Sequence, residues 1–93
     1  MASSTNNFMT TLLDANQIAG YGYPTTCAVQ EERFTSQDGT VSFVRHLIFA
    51  ESAPGSSYNN APNGSHFFNM TSADPEAYIK TAASPWTIYG SHT

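Results

Sequence analysis

Between Thr25 and Glu51 two runs that mix apolar and polar positions lie on either side of a turn. TTCAVQEERF and VSFVRHLIFAE are rich in β-branched and aromatic residues, and TSQDGT separates them. An Asp-Gly pair between such runs signals a β-hairpin. Gly39 supplies the positive φ required by a two-residue primed turn or by a three-residue bulged turn. With Asp38-Gly39 as a two-residue loop, Phe34 faces Phe43, Glu32 faces Arg45 and Glu31 faces His46. Val29 then faces Ile48, and Ala28 faces Phe49. A bulged turn shifts the register by one and sets Glu31 near Arg45 instead. Aromatic and opposite-charge pairs of this kind contribute about 0.2–1 kcal/mol each.

The remaining pattern is less regular. Phe8, Leu12, Ala15 and Ala19 follow a helical spacing, joined by Met9, Leu13 and Ile18, which predicts a short helix over 8–19. Asn7 is its expected cap and Gly20 its expected end. Tyr21-Gly22-Tyr23-Pro24 reads as a loop. Residues 52–65, SAPGSSYNNAPNGS, carry no aliphatic side chain larger than Ala and form a long loop, of a length that is uncommon without a role. HFFNM, at 66–70, reads as a strand. Ser72 or Asp74, followed by Pro75 and Glu76, forms a helix-start signature, with the helix running to about residue 83 before Pro85. WTIY, at 86–89, reads as a last strand.

The expected fold is therefore α+β: a mainly antiparallel sheet of about four strands, in the order α-β-β-β-α-β, with helices on one face. Residues 1–93 form a single domain in this reading, with 1–7 and 90–93 as flexible tails. Val29, Val44 and Ile48 fall on one face of the hairpin, and Phe34, Phe43, Leu47 and Phe49 on the other. Both faces are thus partly apolar. Either the sheet dimerises through one of them, or the first helix or a tail covers it.

Charge narrows the range of partners. Asp, Glu, Lys and Arg make up 11% of the chain, against roughly 25% in ordinary soluble domains. Lys80 is the only lysine, and the formal net charge is −4 with a pI near 5.0. Scattered Arg33, Arg45 and Lys80 cannot clamp phosphates, so neither nucleic acid nor an anionic membrane is an expected partner. MASSTNNF lacks the basic start and apolar run of a secretory signal, and no window resembles a membrane span. A cytoplasmic or particle-associated setting is favoured. Cys27 stands alone, which rules out an intramolecular disulfide and a cysteine-based zinc site.

Candidate chemistry is sparse. Tyr58, with Asn59, Asn60 and the serines around it, has the composition of antibody-type binding loops: rigid amphipathic rings beside adaptable hydrogen-bonding groups. Tyr21 and Tyr23 are candidates for the same surface, and Arg45 either pairs with a glutamate or awaits an anion. His46 beside Glu31 resembles an imidazole oriented by a carboxylate, the alternative catalytic pair, but no nucleophile motif frames it. His46 and His66 with Glu31 or Glu51 would supply enough ligands for a divalent metal, yet no spacing demands one; no metal or cofactor is expected. Phe67, Phe68, Trp86 and Tyr89 could line a small apolar pocket, although core packing accounts for them more simply.

The expected function is a non-enzymatic protein-interaction module that acts by surface contact. It would serve as an assembly component, inhibitor or regulatory binder of viral or particle-associated type, with a protein or a second copy of itself as partner. The missing lysines point the same way, because they leave sheet edges unprotected. The alternative is a small ligand-binding domain or enzyme that uses His46 and Glu31 in a pocket between sheet and helices.

Overall fold

A computed structural model describes residues 8–71, 75–82 and 85–91. Six strands form one sheet: β1 (Phe8–Leu12), β2 (Ala28–Thr35), β3 (Ser42–Ala50), β4 (His66–Asn69), β5 (Glu76–Lys80) and β6 (Trp86–Ser91). They lie side by side in chain order, antiparallel except for the parallel pair β3–β4. One short helix, α1 (Ala15–Gly20), and one 3-10 turn (Ser56–Tyr58) complete the described elements.

The hairpin has the expected register. Phe34 pairs with Phe43, Glu32 with Arg45, Glu31 with His46, Val29 with Ile48 and Ala28 with Phe49. The turn is wider than two residues: the Ser36 N–H donates to Val41 O at 2.8 Å and the Gly39 N–H to Ser36 O at 2.9 Å. Extending the loop symmetrically leaves the register unchanged. Gly39 takes φ 78°, the left-handed conformation that favours glycine. The Asp38 carboxylate accepts from the Ser36 and Thr40 hydroxyls and the Thr40 N–H. These hydrogen bonds, that from Ser36 foremost, lower its pKa to about 2.

The expected α+β architecture with helices on one face is overturned: the molecule is nearly all β, on a mixed six-stranded sheet. Two segments account for the difference. In the first, residues 8–12 form edge strand β1 on β2, and only Ala15–Gly20 is helical. The Thr10-Thr11 pair is stiff at χ1 and suits a strand better than a helix. The helix that remains is capped by Asp14, whose carboxylate accepts from the Gln17 N–H at 2.9 Å while the Gln17 side chain accepts from the Asp14 N–H. This reciprocal capping box replaces the expected cap at Asn7, which lies outside the described residues.

The second segment is Glu76–Lys80, expected as helix and found as a strand between β4 and β6. Ser72 and Asp74, its expected caps, lie outside the described residues. Tyr78 and Ile79 favour strands, and EAYIK also reads as an alternating run, with Glu76, Tyr78 and Lys80 on one face and Ala77 and Ile79 on the other. The last strand is longer than expected, since β6 takes in Gly90 and Ser91, so the expected tail at 90–93 is in part strand. Local propensity is a weak prior here, and long-range pairing overrode it.

The core lies on one face of the sheet. Val29, His46, Ile48 and Phe67 are completely buried there, under Leu13, Ile18, Tyr23, Cys27, Tyr58 and Ala61. Phe67 is its centre: its ring meets Tyr58, Tyr78 and Trp86 edge-on, at 4.7, 6.1 and 5.7 Å. Parallel strands need a crossover of a dozen or more residues, commonly a helix. Here the segment from Glu51 to Ser65 does that work as a loop laid over the core. Its turn residue Tyr58 is only 3% exposed, and its end is fastened to β5 by Gly64 N–H to Lys80 O and Lys80 N–H to Ser65 O, at 2.9 and 2.8 Å. Among the described residues no helix is long and apolar enough to cross a membrane.

Candidate functional site

Two constellations carry chemistry, one on each face of the sheet. On the covered face, strand register sets Glu31 of β2 beside His46 of β3, and the loop after α1 lowers Tyr21 and Tyr23 onto them. His46 Nε2 lies 3.1 Å from Glu31 Oε2, and Tyr23 Oη lies 2.7 Å from His46 Nδ1. A neutral ring satisfies both contacts, with Nε2–H donating to the carboxylate and Nδ1 accepting from the Tyr23 hydroxyl. Arg33 Nε donates to the second oxygen of Glu31 at 2.9 Å, and the Tyr21 hydroxyl makes a longer 3.4 Å contact. The backbone N–H of His46 donates to the Ser65 hydroxyl at 2.9 Å.

The electrostatics of this cluster follow from burial and pairing. Burial lowers the pKa of His46 below its ordinary value, against the opposing pull of the Glu31 carboxylate. Burial pulls Glu31 upward, but the hydrogen bonds from Arg33 and His46 outweigh it and leave the carboxyl below its usual range. Tyr23 is raised, first by burial and then by the charges of its neighbours. The cluster is therefore a carboxylate, a neutral imidazole and a protonated phenol. The ring of His46 has no solvent exposure, and both of its nitrogens are engaged. A shallow depression of about 260 Å³, lined by Leu13, Gln17, Gly20, Tyr21, Glu31 and Arg33, adjoins the carboxylate but not the imidazole.

The opposite face has no second layer among the described residues. Register puts Phe8, Phe34, Phe43, Leu47, Phe49, Phe68 and Ile79 on it, from β1 to β5. Phe43 is 54% exposed, Leu12 73% and Tyr89 53%. Phe49 and Phe68 stack at 5.1 Å, Phe8 and Phe34 tilt together at 5.0 Å, and the Arg45 guanidinium sits 5.7 Å from the centre of the Phe34 ring. A string of polar groups crosses this apolar field. Arg45 pairs with Glu32 across the hairpin, its Nη1 lies 3.5 Å from His66 Nε2, and His66 Nδ1 lies 2.6 Å from the Tyr89 hydroxyl. Burial, and then the nearby Arg45 charge, lowers the pKa of His66.

The residues singled out from sequence separate accordingly. Glu31 and His46 meet, joined by Tyr21 and Tyr23, while Arg45 lies on the opposite face with Glu32. Tyr58 faces inward, where burial raises its pKa to about 12. Asn59 and Asn60 are exposed, and the Asn60 amide donates to Tyr21 O at 2.9 Å. The crossover thus presents asparagines outward and its tyrosine inward. Cys27 is buried, its thiol 3.2 Å from Pro24 O and raised in pKa by desolvation, which suits an inert side chain. His46 and His66 point to opposite faces, so they cannot share a metal, and no group of three ligating residues gathers among the described residues.

Sequence reasoning placed the apolar residues of the hairpin on this second face but missed Phe8, Leu12, Ile79 and His66, because the segments that carry three of them were read as helical. The signal was present as the β-branched Thr10-Thr11 pair in FMTTL and as alternation in EAYIK. Compared with known protein families, curated proteins and solved structures, the chain matches none.

Proposed function

We propose that this protein is a non-enzymatic interaction module, and that its contact surface is the uncovered face of the sheet. One observation carries this reading: a face of the sheet rich in aromatic rings, with Phe43 and Tyr89 more than half exposed, has no second layer over it among the described residues. Monomeric soluble domains seldom keep contiguous apolar patches beyond a few hundred Å² unless something binds there. The face also bears few charges, so little hydration opposes its burial. The roles of assembly component, inhibitor or regulatory binder, and a viral or particle-associated setting, belong to the same proposal.

Site-specific photocrosslinking tests it. A benzophenone amino acid in place of Phe43 is expected to give covalent adducts at working concentrations, and the same group in place of exposed Asn59 none. Adducts from position 59 alone would move the contact to the crossover loop, and an absence of adducts from both would refute the proposal.

A second reading, ligand binding beside Glu31, draws support from the 260 Å³ depression next to its carboxylate. It predicts a stoichiometric small molecule in native mass spectra of the purified protein, lost in Glu31→Gln.

A further inference from the structure

We infer that the occupant of the open face is a second copy of this chain, stacked sheet on sheet about a two-fold axis. This rests on the contact reading above and names its partner. Three features of the face select a copy of itself.

The first is area. Six strands at about 4.8 Å spacing, each about six residues long at roughly 3.3 Å per residue, present on the order of 600 Å² in projection. Two such faces together bury on the order of 1,200 Å², above the roughly 1,000 Å² that separates a specific interface from a chance contact.

The second is charge. The chain carries −4, so most ways of bringing two copies together set acid against acid. On this face Glu32 and Arg45 neutralise each other, and a neutral face meets its own image without repulsion. A partner selected by charge would require an unbalanced patch, and the described residues of the face offer none.

The third is pattern. The polar string Glu32–Arg45–His66–Tyr89 has aromatic residues on both sides, among them Phe34, Phe43, Phe49 and Phe68. A two-fold axis through such a face lays rings on rings and polar groups on polar groups, as a self-complementary interface requires. Two stacked sheets with interdigitated side chains make an ordinary two-layer core about 10 Å thick, and each copy supplies the layer that the other lacks.

Sedimentation equilibrium on the full chain, from about 5 to 200 µM, is the direct test. The expected result is a species of twice the 10.1 kDa chain mass. Phe43→Glu sets a charge at an exposed position of the face and is expected to weaken dimerisation at least 100-fold, while Asn59→Glu leaves it unchanged. A wild-type monomer over the whole range overturns the inference, and so does a dimer indifferent to Phe43→Glu.

Should that variant fail to fold, as judged by circular dichroism, isotope-filtered NOEs in a mixed labelled and unlabelled wild-type sample read the same contact. Intermolecular NOEs among Phe43, Phe49 and Phe68 support the dimer, and NOEs from residues 1–7 of the same chain to those rings overturn it. Crosslinks from position 43 to a different protein, with a monomeric wild type, overturn the second copy but leave the contact surface standing. A monomer without crosslinks removes both.

Discussion

Replacing Tyr23 with phenylalanine tests the structural role of the buried histidine. The change deletes one oxygen and leaves the ring, so the contacts of Tyr23 with Tyr21 at 5.3 Å and Tyr58 at 5.4 Å persist and no large cavity opens. What disappears is the 2.7 Å hydrogen bond to His46 Nδ1. That nitrogen is then a buried acceptor without a donor, which costs about 1–3 kcal/mol. A domain of this size holds on the order of 5–14 kcal/mol in all, so the loss is a substantial fraction. It corresponds to a fall of roughly 4–20 °C in melting temperature. Urea unfolding followed by circular dichroism at pH 7.5 measures it. Combining Tyr23→Phe with His46→Leu should give less than the sum of the single effects, with a coupling of about 0.5–3 kcal/mol. A change below about 0.5 kcal/mol in Tyr23→Phe, or full additivity in the double variant, would refute the idea that the network holds the crossover side of the core together.

Three further outcomes are expected. Phe67→Ala empties the centre of the core and should cost about 3–5 kcal/mol, read as a lower urea midpoint, or as an unfolded chain in the far-ultraviolet spectrum. Acid should destabilise the fold in two stages. Since burial holds folded His46 below its ordinary value of 6.5, the unfolded chain takes up the proton first, and stability falls as pH drops below about 6.5. Folded Glu31 lies below 4.5, so its contribution, complete at higher pH, is lost as pH falls from about 4.5 through its folded value. Urea midpoints that stay level between pH 7 and 5 would contradict the His46 assignment, and midpoints that stay level from pH 4.5 down to about 2.5 would contradict that of Glu31. Gly39→Ala forces a Cβ into the left-handed region at φ 78° and should cost about 1–2 kcal/mol, although open space surrounds the position. An unchanged melting temperature would show that the turn relaxes to another type.

The hairpin and the Glu31–His46 contact were legible in the sequence because they depend on residues close together along the chain. A turn at Asp38-Gly39 sets a register, and a register assigns every side chain of both strands to a face. The scarcity of charge was equally legible. The segments FMTTL and EAYIK were not, because each satisfies helical and extended spacing about equally over five residues. Which one wins depends on hydrogen-bonding partners that the segment does not contain: the free edge of β2 in one case, β4 and β6 in the other.

The inward turn of Tyr58 has the same origin. A loop rich in Ser, Gly, Asn and Pro has the same composition whether its tyrosine greets a partner or seals a core, and only the parallel pairing of β3 with β4 makes it a crossover above Phe67. Once those two segments joined the sheet, one short helix remained to cover it among the described residues. Of those residues, α1 and the crossover roof one face and none forms a layer over the other. Sequence determined which side chains share a face of the hairpin, by simple alternation; tertiary structure decided which face is bare, because covering a sheet depends on where every other segment goes.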